Sequence, residues 1–300
     1  MRSPIRTRLV AVLAALALVL AACGDDDDSG VAASGATDTT AADTTTADPA
    51  EDTPQAIVSL SPTATEMLFA IGAGDQVVAV DELSYFPAEA PVTDLSGFDP
   101  NVEAIIGYDP DLVIMSSDRN DVVAGLEAVD VPTIVMDAAV DIEGTYAQIE
   151  ELGAATGRVD EAADVVATMQ SDIDALLAEL PERDEPLTYY HELDDTLFTV
   201  TSDTFIGEIY SLAGLQNVAD AAEGAADAAG YPQLSAEFLV DADPDLIFLA
   251  DTKCCGQDAG TVAERAGWGE MTAVQQGHIV ELDDDIASRW GPRIVDFLEA

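Results

Sequence analysis

The stretches NVEAIIGYDPDLVI (residues 101–114) and SAEFLVDADPDLIF (residues 235–248) repeat one pattern within the chain. Each has a Glu at its third position, then Asp-Pro-Asp-Leu six residues later, then an apolar run. Because proline disfavours a helical conformation for the residue before it, each stretch predicts a short helix that stops before Pro110 or Pro244. The apolar run that follows predicts a parallel strand buried on both faces.

The two copies begin 134 residues apart, about half the length of the part of the chain that is able to fold. This spacing predicts an α/β fold of two similar lobes. Between the copies, Val159 to Leu180 places apolar residues every three or four positions with acidic residues on the other face, and Pro181 follows. We expect a helix of roughly 30 Å to connect the lobes here. The predicted domains are an N-terminal lobe (55–158), an interlobe helix (159–181) and a C-terminal lobe (182–300).

Shorter patterns place further elements in each lobe. Runs of β-branched and apolar residues between turn signals predict strands at 56–60, 77–80, 133–136, 187–190, 245–250 and 279–282. Helical periodicity followed by glycine predicts helices at 63–71 and 205–213. The alternation of strands and helices is typical of a parallel sheet in each lobe.

The first 22 residues have the features of a secretory signal peptide. Arginines at positions 2, 6 and 8 precede the apolar run Leu9–Leu20, which is shorter than the roughly 20 residues that span a bilayer. The run ends in Leu-Ala-Ala before Cys23, which resembles a bacterial lipobox, in which the cysteine is lipidated and becomes the mature N-terminus. The alternative is an ordinary cleavage site with an incidental cysteine. Residues 23–54 are acidic and Thr-rich and predict a disordered tether.

The charge of the chain limits its partners. A formal charge of −49, from 59 acidic and 10 basic residues, argues against a role on nucleic acid, whose phosphates require Lys and Arg. The same charge repels anionic lipid head groups, so contact with a membrane is expected through the lipid on Cys23 only. We therefore expect an extracytoplasmic protein anchored to the outer face of the cell membrane.

Several motifs, taken together and in order, resemble the helical-backbone (class III) periplasmic binding proteins of ABC importers for cobalamin, ferric siderophores and haem. They are the two Asp-Pro-Asp-Leu stretches, the interlobe helix, and the segments IVSLSPTATE (57–66), TFIG (204–207) and RWGPR (289–293). The resemblance covers nearly all of residues 55–300. It implies two Rossmann-like lobes with parallel sheets, joined by one long α-helix, with the ligand in the cleft between them.

The resemblance also implies a function and partners. The expected protein is a monomeric lipoprotein that captures a metal chelate and delivers it to a permease dimer with a cytoplasmic ATPase. In the family, an acidic residue of each lobe pairs with arginines of the permease, and the repeat carries this role to Glu103 and Glu237. The alternative is that both are acids favoured by the dipole at a helix N-terminus.

Two other classes of function fit the sequence less well. An enzyme would need a nucleophile and base, but the chain has only two histidines and no Gly-x-Ser-x-Gly, His-Glu-x-x-His or phosphate-loop motif. His278 is interpreted as structural, and the acidic runs at 194–195 and 283–285 as solvated loops. A plain cell-surface interaction domain would not need two lobes that form a cleft.

Cys254 and Cys255 are the two thiols that remain if Cys23 is lipidated. They follow a predicted strand and are expected to face the cleft in an oxidising compartment. Adjacent Cα atoms lie 3.8 Å apart, below the usual range for a disulfide, so a vicinal bridge would be strained. A disulfide-bridged ligand platform, free thiols and metal ligation remain as alternatives, although two thiolates alone make an incomplete metal site. No metal ion or cofactor is predicted.

The expected ligand is a corrinoid of the cobalamin type. A neutral or cationic ligand suits the acidic field, and anionic siderophores call for several arginines where Arg119 and Arg289 alone are expected in the cleft. Haem would need His191, which follows a strand and is predicted either in the cleft or at the surface, or a Tyr as iron ligand. The candidate ligand-binding residues, on predicted cleft loops, are Tyr85, Phe86, Phe98, Arg119, His191, Glu192, Phe198, Phe205, Tyr231, Cys254, Cys255, Arg289 and Trp290.

Overall fold

A computed structural model describes residues 53–300 of the chain. The predicted signal peptide, Cys23 and the tether up to residue 52 lie outside the described residues. Within residues 53–300, no helix combines the length and the apolar character that crossing a membrane requires.

The N-terminal lobe is built on a parallel sheet of five strands. The strands are β1 (Ile57–Leu60), β2 (Val77–Asp81), β3 (Val92–Leu95), β4 (Leu112–Met115) and β5 (Thr133–Val135). Their order is β3-β2-β1-β4-β5, and the central strand β1 and its neighbour β4 are buried along their whole length. The helices of this lobe are α1 (Pro62–Ala70), α2 (Val102–Ile106), α3 (Val122–Glu127) and α4 (Ile142–Thr156).

A long helix, α5 (Val159–Glu179), leads from this lobe to the next. It buries Ala162, Val166, Met169 and Ile173 against α4 and the last helix of the chain. These side chains share one apolar cluster with residues of both sheets, which makes α5 part of a core common to the two lobes. The helix predicted at 159–180 is thus present.

The C-terminal lobe has a parallel sheet of four strands. The strands are β6 (Thr188–Glu192), β7 (Gln216–Asn217), β8 (Leu246–Leu249) and β9 (Ile279–Glu281). Their order is β7-β6-β8-β9. The helices are α6 (Phe205–Leu212), α7 (Ala236–Ala242), α8 (Thr252–Cys255), α9 (Ala259–Ala263), α10 (Thr272–Gln276), α11 (Asp284–Ala287) and α12 (Ile294–Glu299).

The Asp-Pro-Asp-Leu repeat has the same structural role in both lobes. In the first, the carboxylate of Asp111 accepts hydrogen bonds from the backbone N–H groups of Gln55 (2.7 Å) and Ala56 (2.9 Å). In the second, Asp245 accepts from the backbone N–H and the hydroxyl of Thr188, both at 2.9 Å. Asp111 therefore joins the start of β4 to the start of β1, and Asp245 joins the start of β8 to the start of β6. Each aspartate satisfies N–H groups where the neighbouring strand begins.

The predicted strands and helices are found within one to three residues of their expected ends, and one difference matters for function. β6 continues to Glu192, two residues beyond the predicted end, so His191 and Glu192 belong to the strand. The 15-residue helix α4 has no counterpart among the predicted elements, because Gly144 and Gly153 weaken its helical pattern. Gly153 is required by packing, since a Cβ there would clash with Ala162 of α5.

Candidate functional site

A cleft of about 370 Å³ lies at the carboxyl ends of β1, β2 and β4, where they meet the segment between α11 and α12. Ligands of open α/β sheets bind at this edge. The cleft is lined by Leu60, Ser61, Pro62, Thr63, Asp81, Leu83, Tyr85, Gly97, Phe98, Ser116, Arg119, Asp285, Ser288, Arg289 and Trp290.

A second cavity, of about 290 Å³, shares Ser288 and Trp290 with the first. The rest of its wall comes from the loop after β5, from the start of α6 and from the loop that precedes α7. It is lined by Ala138, Ala139, Val140, Asp203, Thr204, Phe205, Ile206, Ala229 and Tyr231. We call the two cavities together the interlobe cleft, with Trp290 between its two parts.

Polar contacts cross the first part of the cleft. The hydroxyl of Tyr85, from the loop after β2, donates to the carboxylate of Asp285 on α11, with O–O distances of 2.7 and 2.8 Å. Arg289 and Lys253 also donate to Asp285, each at 2.9 Å. Burial opposes ionisation of Asp285, but these donors and the two positive charges outweigh it and lower its pKa. Asp285 is therefore a carboxylate held in the cleft wall.

The two arginines of the cleft differ in their surroundings. The guanidinium of Arg289 donates to Glu66 at 2.6 Å as well as to Asp285, so acidic partners already hold it. Arg119 lies over the ring of Phe98, 5.5 Å from its centroid, at an exposed position of the rim. Arg119 is thus the cleft arginine that has an accessible charge.

A glycine brings the Phe98 loop into the cleft. A Cβ at Gly97 would lie 2.7 Å from the carbonyl oxygen of Leu60 and 3.0 Å from Oδ2 of Asp81, so only glycine fits against the end of β1. Asp81 itself is buried, and burial raises the pKa of its carboxyl although the backbone N–H of Leu83 donates to it at 2.9 Å.

The structure brings seven of the predicted ligand-binding residues to the interlobe cleft. Tyr85, Phe98, Arg119, Arg289 and Trp290 line its first part, and Phe205 and Tyr231 its second. Phe86 and Phe198 line neither part. The ring of Phe86 is covered by the guanidinium of Arg293, 4.1 Å from its centroid, and Phe198 pairs with Gln233 in an isolated bridge.

The predicted roles of His191 and Glu192 in the cleft are wrong. Both side chains are fully buried, because β6 runs on to Glu192. Nδ1 of His191 is 2.8 Å from the hydroxyl of Tyr210, and burial lowers the pKa of His191 to about 3. Glu192 accepts two hydrogen bonds from Arg265, at 2.5 and 2.6 Å. His191 is a neutral core residue, neither in the cleft nor at the surface.

Cys254 and Cys255 form a disulfide in the structure, within the short helix α8. Both are exposed, and neither lines the interlobe cleft, so the expected ligand platform is not found there. Their turn contacts α11 instead, since the carboxylate of Asp284 accepts from the N–H groups of Lys253 (3.0 Å) and Cys254 (2.8 Å). Among residues 53–300, no group of three or more His, Cys, Asp or Glu side chains is placed to hold a metal ion.

Other residues of the site have no counterpart in the sequence prediction. The acidic run 283–285 is not a solvated loop, because Asp283 caps α11 and Asp285 enters the cleft wall. Glu66 is a buried acid on α1 that binds two arginines of the C-terminal segment. The chain has 59 glutamates and aspartates, and Glu66 and Asp285 carry no local signal that sets them apart, so only the tertiary structure distinguishes these two.

Two parallel sheets, joined by a long helix and bordered by a cleft at their strand ends, define a two-lobed binding protein. Residues 57–286 match the family described as periplasmic binding protein, and the chain belongs to this family. An uncharacterised ABC transporter substrate-binding lipoprotein of Bacillus subtilis, YvrC, is 31% identical over 98% of this chain and 95% of its own length. A cobalamin-binding protein of Halobacterium salinarum is 31% identical over 81% of this chain and 67% of its own length.

Solved structures show the same fold. The vitamin B12-binding protein BtuF of Vibrio cholerae superimposes with a TM-score of 0.63 at 25% identity, over 82% of this chain and 94% of that chain. The haem-binding protein HutB of Vibrio cholerae gives a TM-score of 0.72 at 22% identity, over 82% and 97%. The relatives are binding proteins, and the chain is accordingly a substrate-binding protein and not an enzyme.

Proposed function

We propose that the chain is the extracytoplasmic substrate-binding lipoprotein of an ABC importer and that its ligand is a corrinoid of the cobalamin type. The observation that carries the choice of ligand is the charge of the interlobe cleft. Of the lining residues, Arg119 and Arg289 are the two cations, and Arg289 is already bound to Glu66 and Asp285. This leaves one accessible guanidinium, so the cleft suits a ligand without carboxylate or catecholate charges.

The other residues of the interlobe cleft suit both the apolar macrocycle and the polar periphery of a corrinoid. Aromatic side chains on both sides, among them Phe98 and Trp290, provide apolar area for a broad macrocycle. The hydroxyl of Tyr85 donates to Asp285, and the oxygens of both groups lie where they can accept hydrogen bonds from the N–H groups of peripheral carboxamides. The cobalamin-binding relative of Halobacterium salinarum supports the same choice.

Haem is the second candidate, because the interlobe cleft has tyrosines that can bind iron although it lacks the expected histidine. His191 is buried, which removes the histidine expected as iron ligand. Tyr85 and Tyr231 line the two parts of the interlobe cleft, and a Tyr can ligate haem iron. A ferric siderophore is less well supported, because the anionic types require more free arginines than the cleft offers.

Titration of the purified protein with cyanocobalamin tests the proposal. Because Trp290 lies in the cleft and Trp268 is buried in the C-terminal core, saturable quenching is expected from Trp290. The variant Trp290→Phe should lose the quenching, and calorimetry should still detect binding. Haemin and a ferric catecholate siderophore are titrated in parallel. Saturation by either of these ligands, with none by cyanocobalamin, would reject the corrinoid.

We propose further that the mature protein is anchored through a lipid on Cys23, which lies outside the described residues. The support is the lipobox-like sequence before Cys23 and the name of the Bacillus subtilis relative, a lipoprotein. The variant Cys23→Ala should move the protein from the membrane fraction to the soluble extracytoplasmic fraction. Unchanged fractionation would exclude the lipid anchor.

The repeat supports Glu103 and Glu237 as the residues that dock to the permease. Both are exposed and occupy the second position of their helices, α2 and α7. The two helices begin in the same way, since the side chains of Asn101 and Ser235 accept hydrogen bonds from the N–H three residues on, at 3.0 and 3.1 Å. One monomer thus presents two equivalent acids to a permease dimer, which in turn carries a cytoplasmic ATPase.

A further inference from the structure

A buried ion cluster joins the two ends of the folded chain. Glu66, on α1 of the N-terminal lobe, is 3% exposed and accepts hydrogen bonds from two arginines more than 220 residues away. Arg293 donates from Nε to Oε2 at 2.8 Å and from Nη2 to Oε1 at 2.6 Å. Arg289 donates from Nη1 to Oε1 at 2.6 Å. We call these three residues the interlobe clamp.

Other groups of the N-terminal lobe hold the backbone and side chains between the two arginines. The hydroxyl of Thr145 on α4 donates to the carbonyl of Trp290 at 3.1 Å, and the indole N–H of Trp290 donates to Gln148 at 2.9 Å. Arg289 also donates to the carbonyl of Leu83 at 3.1 Å. The segment 289–293, which separates the two parts of the interlobe cleft, is therefore fixed from α1, α4 and the loop after β2.

The carboxylate of Glu66 is the acid that binds both arginines. Two guanidinium groups share it, with side chains only 9% and 16% exposed, so its removal leaves two buried cations with reduced compensation. The contacts of Thr145 and Gln148 are neutral hydrogen bonds, which are weaker than those to a charged group. The position of the segment thus depends mainly on Glu66.

We infer that Glu66 is a positioning residue for ligand binding: through Arg289 and Arg293 it holds Trp290 against the N-terminal lobe and keeps the interlobe cleft formed before the ligand arrives. A preformed cleft lowers the ordering cost of binding and so raises affinity. Glu66 itself is not among the residues that line the cleft. The effect on affinity rests on the proposed function, whereas the effect on the position of Trp290 does not.

The chain contains a matched pair for comparison. Glu192 and Arg265 also form a buried bidentate ion pair, through Nη1 at 2.5 Å and Nη2 at 2.6 Å, and the Arg265 side chain is 19% exposed. Both residues belong to the C-terminal lobe, and neither lines the cleft. Substitutions of this pair therefore remove a comparable ion pair without releasing the segment that carries Trp290.

The experiment compares four variants of the full chain: Glu66→Gln and Arg293→Lys in the interlobe clamp, and Glu192→Gln and Arg265→Lys as controls. Acrylamide quenching of fluorescence reports the position of Trp290, because Trp268 is only 1% exposed and shielded from the quencher. We expect the clamp variants to raise the quenching constant at least twofold and the Kd for cyanocobalamin at least tenfold. The control variants should change each value less than twofold, although their melting temperatures fall as well.

The inference is overturned if folded clamp variants leave either value unchanged, or if clamp and control variants change both values equally, which indicates general destabilisation. If Glu66→Gln does not fold, the comparison of Arg293→Lys with Arg265→Lys decides whether the clamp positions Trp290. If the wild-type chain does not bind cyanocobalamin, the proposed ligand is wrong, and quenching alone then decides whether Glu66 positions the segment.

Discussion

His191 shows how a single buried residue makes stability depend on pH. Its imidazole is fully buried beside Tyr210 and the ring of Phe297, and burial lowers its pKa to about 3. In the unfolded chain a histidine has a pKa of about 6.5. Between these two values the unfolded state binds the proton and the folded state does not, so acidification favours unfolding.

The variant His191→Gln tests this contribution. In the wild type, the pH-dependent contribution of His191 to the free energy of unfolding is complete above pH 6.5 and is lost as pH falls from 6.5 towards 3. The loss between pH 7 and pH 5 is about 2 kcal/mol. Urea unfolding at these two pH values should therefore show a smaller loss of stability in the variant than in the wild type. The exposed His278 supplies the control, since His278→Gln should retain the wild-type difference. Equal pH dependence of the wild type and His191→Gln would contradict the assignment.

At the scale of elements, α6 shows why the motif TFIG at 204–207 has a glycine. The hydroxyl of Thr204 caps the helix by accepting from the N–H of Gly207 at 3.0 Å and donates to the carbonyl of Thr201 at 2.9 Å. This arrangement presses the first turn against the preceding loop. A Cβ at Gly207 would clash with the carbonyl oxygen of Thr201 and lie 2.6 Å from the Cα of Ser202. The obstacle is backbone, which cannot move aside as a side chain can.

We expect Gly207→Ala to lower the free energy of unfolding by about 2–3 kcal/mol, because α6 must shift to admit the methyl group. Phe205, in the same turn, lines the second part of the interlobe cleft, so ligand affinity should fall too. Chemical denaturation measures the first effect. The exposed Gly269 is the control, since a Cβ there meets its nearest neighbour at 3.7 Å and Gly269→Ala should stay within about 0.5 kcal/mol of the wild type. If Gly207→Ala is as stable as the wild type, the backbone of Thr201 and Ser202 moves to admit the methyl group, and the prediction is wrong.

At the scale of the whole molecule, the repeat gives the two lobes equivalent acids on equivalent helices. The proposed docking uses these two acids, one for each subunit of a permease dimer, and exposed charges of this kind set orientation and association rate. The alternative explanation, a favourable interaction with the helix dipole, would stabilise each helix by about 0.3–1 kcal/mol and would not affect transport. The two explanations therefore differ in their consequences for uptake.

The double variant Glu103→Ala/Glu237→Ala should reduce uptake of the ligand by cells at least tenfold and leave the Kd for cyanocobalamin within twofold of the wild type. The melting temperature should shift by no more than about 4 °C, because two exposed helix-terminal charges contribute little. Glu143 and Asp160 are exposed acids in the first turns of α4 and α5, and the variant Glu143→Ala/Asp160→Ala is the control with normal uptake. Normal uptake by the first variant, or lost ligand binding, would exclude docking through these residues.

The sequence by itself determined the class of fold and the elements at the centre of each lobe. Periodicity, proline and glycine are local signals, and they located α5, the central strands of each sheet and the repeat that relates the lobes. Aromatic residues after strand ends were also predictable as cleft residues, because parallel strands all end at one edge. Tyr85, after β2, and Phe98, after β3, reach the cleft for this reason.

Only the tertiary structure decided which polar side chains face that cleft. Two further residues in β6 moved His191 and Glu192 from a loop into the core, a difference too small for local propensities to resolve. The partners of Glu66 and Asp285 lie up to 227 residues away along the chain, so no local pattern could distinguish these two acids from the others. Local sequence specifies backbone conformation, whereas the pairing of buried charges depends on which distant segments the fold brings together.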